Sequence, residues 1–207
     1  MKPLEKFSDF NAFIFERLRK PLPGKMAQLK LGPPHRTYKE PATGYRTGCV
    51  CLPIKDIGGI PHLVMIKRAH DGKVHSGQMA FPGGKAEQGE ALEAAALREL
   101  NEDIGIPKDH IRMAGSLTSL YVPPSNFKVI PFVVVQYINS RYIPNYDEVS
   151  SIVELPLNLL AQQQLVQNST WQVTTRGTVN VPAYVINDTV IWGASAMILA
   201  EFLALFE

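Results

Sequence analysis

The segment that most restricts this chain lies between Pro82 and Ile106. Pro82-Gly83-Gly84 opens it, an Ala- and Glu-rich run from Ala91 to Ile104 fills it, and Gly105 closes it. The spacing predicts an α-helix over 91–104, and Gly105 suits the left-handed residue that commonly ends one. At about 100° per residue, Leu97, Leu100 and Ile104 fall within an arc of about 60°, while Glu99, Glu102 and Asp103 share a separate arc of roughly 100°. One side packs on a core and the other offers three carboxylates. Before the helix, Gly83 and Gly84 have no Cβ, so a ligand can approach their backbone closely.

The charge in this segment calls for an explanation. Residues 84–103 set Lys85 and Arg98 against Glu87, Glu90, Glu93, Glu99, Glu102 and Asp103, a local balance of −4 inside a chain whose net charge is +2. Ionised carboxylates three and four residues apart on a helix repel, each pair costing a few tenths of a kcal/mol. A hard divalent cation removes that cost, and Mg²⁺ characteristically combines carboxylates with water and substrate phosphates. The competing reading is a solvated acidic helix face, which is the commoner one for a Glu-rich helix taken alone. The flanking glycines favour the phosphate-chemistry reading.

Gly84, Glu90, Arg98, Glu99, Leu100, Glu102, Asp103, Gly105 and Ile106 together resemble the Nudix box, G-x(5)-E-x(7)-R-E-U-x-E-E-x-G-U, where U is a bulky aliphatic residue. Eight of these nine positions match over 23 residues; the ninth, Asp103, stands where the family usually has Glu. The resemblance implies an α/β fold, a Nudix-type α/β/α sandwich with a mixed β-sheet, here with an added N-terminal helix. It also implies hydrolysis of a nucleoside diphosphate linked to another moiety, with Mg²⁺ or Mn²⁺ helping to generate a water nucleophile. By the same resemblance, Glu99 and Glu102 are the principal metal ligands, with Asp103 and Glu90 in support. Asp is one methylene shorter than Glu, so ligation at Asp103 is less secure. Arg98 precedes Glu102 by four residues and reads as the group that orients the carboxylates, with direct phosphate contact as the alternative. The general base stays open, since a carboxylate in or beyond the box could accept the proton.

Upstream, Arg68, His75, Gly77 and Phe81 to Gly84 match the signature that precedes the box in coenzyme A pyrophosphatases, while Ala69, Gly72, Lys73 and Met79 replace its Ser, Leu, Arg and Val. Arg68, Lys73, His75, Gly83 and Gly84 are therefore the expected substrate-binding residues. Arg68 and Lys73 could pair with an extra phosphate such as the 3′-phosphate of coenzyme A, against the simpler reading of solvated cations. Downstream, the Tyr121 to Phe127 segment, Ile130-Pro131-Phe132 and Ile191-Trp192-Gly193-Ala194 resemble the same subfamily. Tyr121 and Phe127 are candidates for an adenine or pantetheine pocket, with ordinary packing as the competing role. The implied reaction converts coenzyme A or acyl-coenzyme A to 3′,5′-ADP and 4′-phosphopantetheine or its acyl form. ADP-ribose or another nucleotide is the alternative substrate, and a non-catalytic ligand-binding module is the alternative class.

The rest of the chain sets the frame. Its 207 residues suit one domain with short decorations, divided here into an N-terminal helix and Pro/Gly-rich wrap, 1–44, and a catalytic domain, 45–207. Phe7, Phe10, Ile14 and Leu18 predict an amphipathic helix over 8–20, with Ser8 as its cap. Five prolines and three glycines in 21–44 predict an irregular wrap. Strands are expected at 45–54, 62–68, 112–121, 128–138 and 181–186, and a closing helix at 194–206. Cys49 and Cys51 should face one side of a strand as buried filler. No apolar run reaches the length of a membrane helix and the N-terminus lacks a secretory pattern, so a soluble, cytoplasmic protein is expected. The partner is a small-molecule nucleotide, with no membrane and no nucleic acid, and a homodimer stays open. The basic stretch from Arg17 to Arg46 reads as solvated surface, because no nucleic-acid motif accompanies it.

Overall fold

A computed structural model describes residues 2–34, 39–41, 43–70, 76–173 and 177–207. In chain order the main elements are α1 (Phe7–Arg17), α2 (Gly24–Leu29), β1 (Arg46–Ile57), β2 (Ile60–Arg68), β3 (Met79–Ala80), β4 (Gly83–Lys85), α3 (Leu92–Ile104), β5 (Ile111–Ser116), β6 (Leu120–Val122), β7 (Phe127–Gln136), β8 (Val149–Pro156), α4 (Leu157–Leu160), β9 (Val166–Val173), β10 (Gly177–Ile186), β11 (Thr189–Trp192) and α5 (Gly193–Ala204). The large sheet runs β3-β2-β1-β7-β5, with β4 on β1, β6 on β7 and β8 on β2. Its β1–β7 pair is parallel and its other pairs are antiparallel, so the sheet is mixed. A second, three-stranded sheet is ordered β11-β10-β9.

Strand alternation sorts the core into two layers. Cys49, Cys51, Val64, Ile66, Phe132 and Val134 face α3 and pack on its Ala95, Ala96, Leu100 and Ile104. Leu52, Ile54, Leu63, Met65, Val133 and Val135 belong to the other layer, closed by Phe10 and Ile14 of α1 and by Leu199 and Phe202 of α5. The period of two sends alternate residues to opposite faces, and the result is helices on both sides of a mixed sheet. Phe10, Phe13 and Phe202 all lie against Phe206, with ring centroids 5.9, 5.2 and 5.5 Å away. The N-terminal helix is thereby bound to the C-terminus by an aromatic cluster.

Several expectations are revised. Helix α1 begins at Phe7 after Lys6, so Ser8 sits inside the first turn and donates to the Asp9 carboxylate instead of capping. The wrap contains α2, which packs along α5. Its Gln28 is buried and donates to Glu201 Oε2 at 2.7 Å and to the Thr118 carbonyl at 2.8 Å. Glu201, fully buried on the otherwise apolar α5, also accepts from the backbone amides of Gly24 and Thr118, at 3.1 and 3.2 Å. The expected strand at 112–121 divides into β5 and β6, and the sequence pattern signals neither β8 nor β9, for neither carries a clean apolar alternation. Cys49 and Cys51 are free and buried in the α3 layer.

Candidate active site

The glycine run after Pro82 becomes strand β4. It pairs with β1 in the register Gly48↔Lys85, Cys49↔Gly84 and Val50↔Gly83. A Cβ on Gly83 would stand 2.3 Å from the Cys49 carbonyl oxygen, and one on Gly84 would stand 2.4 Å from a Glu99 carboxylate oxygen. Only glycine lets strand, loop and α3 come this close. The helix ends where expected: Gly105 takes φ +74° and its amide bonds the Asn101 carbonyl at 2.8 Å.

Arg98 is the hub of the acidic face. Its Nε and Nη2 donate to the two oxygens of Glu90, each at 3.0 Å, a bidentate fork. Its Nη1 donates to Glu99 Oε1 at 3.0 Å and to Glu102 Oε2 at 2.9 Å, while Nη2 also reaches the Lys85 carbonyl at 3.3 Å. Glu90 in turn accepts the Glu87 amide at 2.9 Å, which ties the loop to the hub. The Arg98 hydrogen bond holds the Glu90 carboxyl below its ordinary range. Glu99 differs. Burial pushes its carboxyl up, the charges of Glu102 and Glu148 add to that, and Arg98 only partly opposes them. One guanidinium thus faces three carboxylates, leaving negative charge in excess.

Asp103 does not share the solvated face that the helical arc suggested. It is 4% exposed, and its Oδ2 accepts the Gly83 amide at 2.9 Å. On the helix wheel it lies between Glu99 and Ala96, on the boundary with the packed side. Burial, opposed by the Gly83 hydrogen bond, lifts its carboxyl to about 6. The side chain one methylene shorter than Glu therefore locks the helix to the glycine strand.

The glycine strand and Glu99 border a cleft of about 560 Å³. Arg68, Gly83, Gly84 and Glu99 line it, as do Phe127 and the junction Trp192 to Ser195. Arg68 comes from the end of β2, where a bulge breaks the β8 pairing. Lys73 and His75 lie outside the described residues. Tyr121 is not in the cleft wall, and its hydroxyl donates to Asn126 Oδ1 at 3.0 Å. Glu148 also lines the cleft, a residue that sequence reasoning did not single out. It lies in the loop before β8, with no local motif to signal it. Backbone bonds from Ile143 to the Ile104 carbonyl and from Asn145 to the Asp103 carbonyl pin that loop to the end of α3.

Among the described residues no three His, Cys, Asp or Glu side chains already converge as a metal cage. The donor set nonetheless fits a hard divalent ion. Glu99 and Glu102 are oxygen donors on adjacent turns, and their mutual repulsion, with Glu148 near, is the kind that such an ion relieves.

A NUDIX domain profile matches residues 44–175. The uncharacterized Nudix hydrolase NudL of Pectobacterium atrosepticum is 36% identical over 132 residues, covering 63% of this chain and 66% of that protein. Its counterpart from Yersinia enterocolitica is 34% identical over 142 residues, covering 67% and 71%. The chain spans about half the length of other NudL relatives that it matches. A Nudix hydrolase from M. smegmatis, RenU, superposes with a TM-score of 0.49 at 16% identity, over 63% of this chain and 81% of that one. With a profile match over well over half of its length, laid across the strand, glycine loop and acidic helix just described, the chain belongs to the NUDIX domain family.

Proposed function

We propose that the cleft hydrolyses the pyrophosphate link of a nucleoside diphosphate derivative, with coenzyme A or acyl-coenzyme A as substrate. The observation that carries this reading is the Arg98 hub, which holds Glu102 beside Glu99, and Glu99 lines a cleft that also holds Arg68. Water oxygen bonds to one phosphorus, the bridging P–O bond breaks, and the products are 3′,5′-ADP and 4′-phosphopantetheine or its acyl form. Glu99 and Glu102, with Asp103 and Glu90 behind them, are the groups that would hold Mg²⁺ or Mn²⁺, which when bound supplies charge neutralisation at the phosphates.

The chain's own residues divide the remaining work. Arg98 keeps the carboxylates in place, and the Cβ-free backbone of Gly83 and Gly84 admits the phosphates. Arg68 is a cleft cation suited to a phosphate oxygen, with Lys73 and His75 assigned to the same end of the substrate. Glu148, a carboxylate beyond the box, accepts the proton from the attacking water in this reading. Residues 1–44 serve as a brace on the catalytic unit 45–207.

The upstream match at Arg68, His75, Gly77 and Phe81 to Gly84 supports coenzyme A over other nucleotides. Turnover of coenzyme A, ADP-ribose, NADH and diadenosine polyphosphates with Mg²⁺ or Mn²⁺ tests it. Coenzyme A should give the highest kcat/KM, and Glu148→Gln should lower it. Preference for ADP-ribose would replace the substrate and keep the reaction. Absence of turnover with every substrate, together with nucleotide binding that Glu102→Gln leaves intact, would instead establish a binding module.

A further inference from the structure

The profile match ends at residue 175, yet Trp192, Gly193, Ala194 and Ser195 form part of the cleft wall. This junction of β11 and α5 is held firmly. Ser195 Oγ donates to the Met79 carbonyl at 3.2 Å, and Met79 is itself a lining residue. On the strand side Trp192 is paired with Ala183 of β10. Between them Gly193 takes φ +63°, a conformation that favours glycine and lets the chain turn from strand into helix within one residue. Helix α5 then continues into the core through Ile198, Leu199 and Phe202.

The cleft is divided in character. Arg68, Lys85, Glu99 and Glu148 carry its charge, whereas Met79, Phe81, Phe127, Val129 and Trp192 give it an apolar and aromatic side. Phosphates and metal chemistry belong with the first group. Beside the second group the neutral polar side chains of the wall are Gln78, Ser125 and Ser195, and the two hydroxyls already donate to the Val122 and Met79 carbonyls. A flexible chain of amides buried there would lose its conformational freedom and hydrogen bonds to water that these few groups replace only in part. A nucleobase is flat, has little conformational freedom to lose, and stacks on an indole.

We propose that Trp192 is a specificity-determining residue that buries the nucleobase of the substrate in this cleft, so that the C-terminal segment outside the matched NUDIX region selects the nucleotide. The inference rests on the reading of the cleft as a pyrophosphohydrolase site.

The test uses Trp171→Phe as background, which leaves residue 192 as the sole tryptophan of a chain that has two. ADP and 4′-phosphopantetheine are titrated separately while indole fluorescence is followed. ADP should change the emission and 4′-phosphopantetheine should not. In steady state, Trp192→Ala should raise KM about ten-fold with kcat within about three-fold, the loss of one stacking contact. Trp192→Phe should recover most of that loss while keeping a ring in place. An emission change with 4′-phosphopantetheine but not with ADP overturns the nucleobase assignment, as does an unchanged KM in Trp192→Ala. The fluorescence titration needs no turnover, so failure of hydrolysis across the substrate panel would remove the proposed reaction while this contact is still judged by the ADP result.

Discussion

Glu201 on α5 and Glu99 on α3 lie on helices packed against opposite faces of one sheet, and their surroundings leave them in opposite conditions. Glu201 is enclosed, and neutral groups bond both of its oxygens: the Gly24 and Thr118 amides and the Gln28 side chain. Glu99 shares a single guanidinium with Glu90 and Glu102. The first carboxylate has its own donors on both oxygens and, with no exposed surface, is closed to a ligand. The second belongs to a group with surplus negative charge at the edge of a cleft. Burial of an acid is thus no indicator of chemistry by itself; what separates the two is whether the available donors match the available oxygens.

The sharpest way to break this contrast is to remove charge from the unsaturated side. Glu102→Gln should lower metal-dependent turnover on the order of 100-fold or more, equivalent to about 3 kcal/mol of transition-state stabilisation. Because the Glu102 side chain is 54% exposed, unfolding free energy should move by no more than about 0.5 kcal/mol. Parallel kinetics and denaturant titration check both halves, and a large stability loss with little change in turnover would reverse the assignment.

The saturated side should respond the other way. Glu201→Ala leaves two backbone amides and one of the two Gln28 Nε2 bonds without an acceptor in a closed site, and should cost about 2–4 kcal/mol of stability. Turnover of the molecules that remain folded at low temperature should stay close to normal. Asp103 stands between the two extremes. Asp103→Ala frees the Gly83 amide and should cost about 1–3 kcal/mol, whereas Asp103→Asn keeps an acceptor oxygen and should cost less. If Asp103→Asn abolishes turnover while stability holds, Asp103 acts on the reaction and not only on the glycine strand.

A third ionic cluster gives the smallest effect and a pH test. Glu154 lies in β8, where Lys55 and the Tyr142 hydroxyl both bond its Oε1, at 2.9 and 2.8 Å. Burial works to raise this carboxyl, but those two partners outweigh it and hold it below the ordinary range. Since the folded value is the lower one, the pair contributes stability above the ordinary carboxylate range and loses it as the pH falls through the folded value. Melting temperatures measured from neutral to acidic pH should therefore converge for the native chain and Glu154→Gln. A constant gap would show that the pair acts through shape alone.

The acidic helix could be read from sequence because two periodic signals coincide there, an apolar arc and a carboxylate arc, with glycines marking both boundaries. β7 was equally clear from Val133-Val134-Val135, which central burial requires. β8 escaped because Ser150, Ser151 and Glu154 interrupt its apolar pattern, and β2 pairing holds it in place instead. The helical wheel misplaces Asp103, which is buried, because a wheel gives angle but not the depth at which the neighbouring strand passes. Glu148 needed tertiary structure altogether, for its approach to Glu99 depends on a loop bonded to the far end of α3. Glu201 did leave a trace, a lone carboxylate in the apolar run Ala196 to Leu205, though its partners lie 83 and more residues away.

The parallel pairing of β1 with β7 bears on how the chain reaches this state. Its register joins Arg46 to Phe127 and Ile54 to Val135, so the two strands that form the middle of the sheet are separated by some 80 residues of chain. No hairpin can close such a pair, and the loop entropy falls due before the contacts repay it. During synthesis β1 waits for its central neighbour until Gln136 has been made, although β2 can join it at once through a tight hairpin. The surface on which α3 rests is completed only then, and α5 cannot close the opposite face until residues 193–204 have been made. Arg98 and its carboxylates can gather locally at an early stage, but the cleft beside them is a late product of folding.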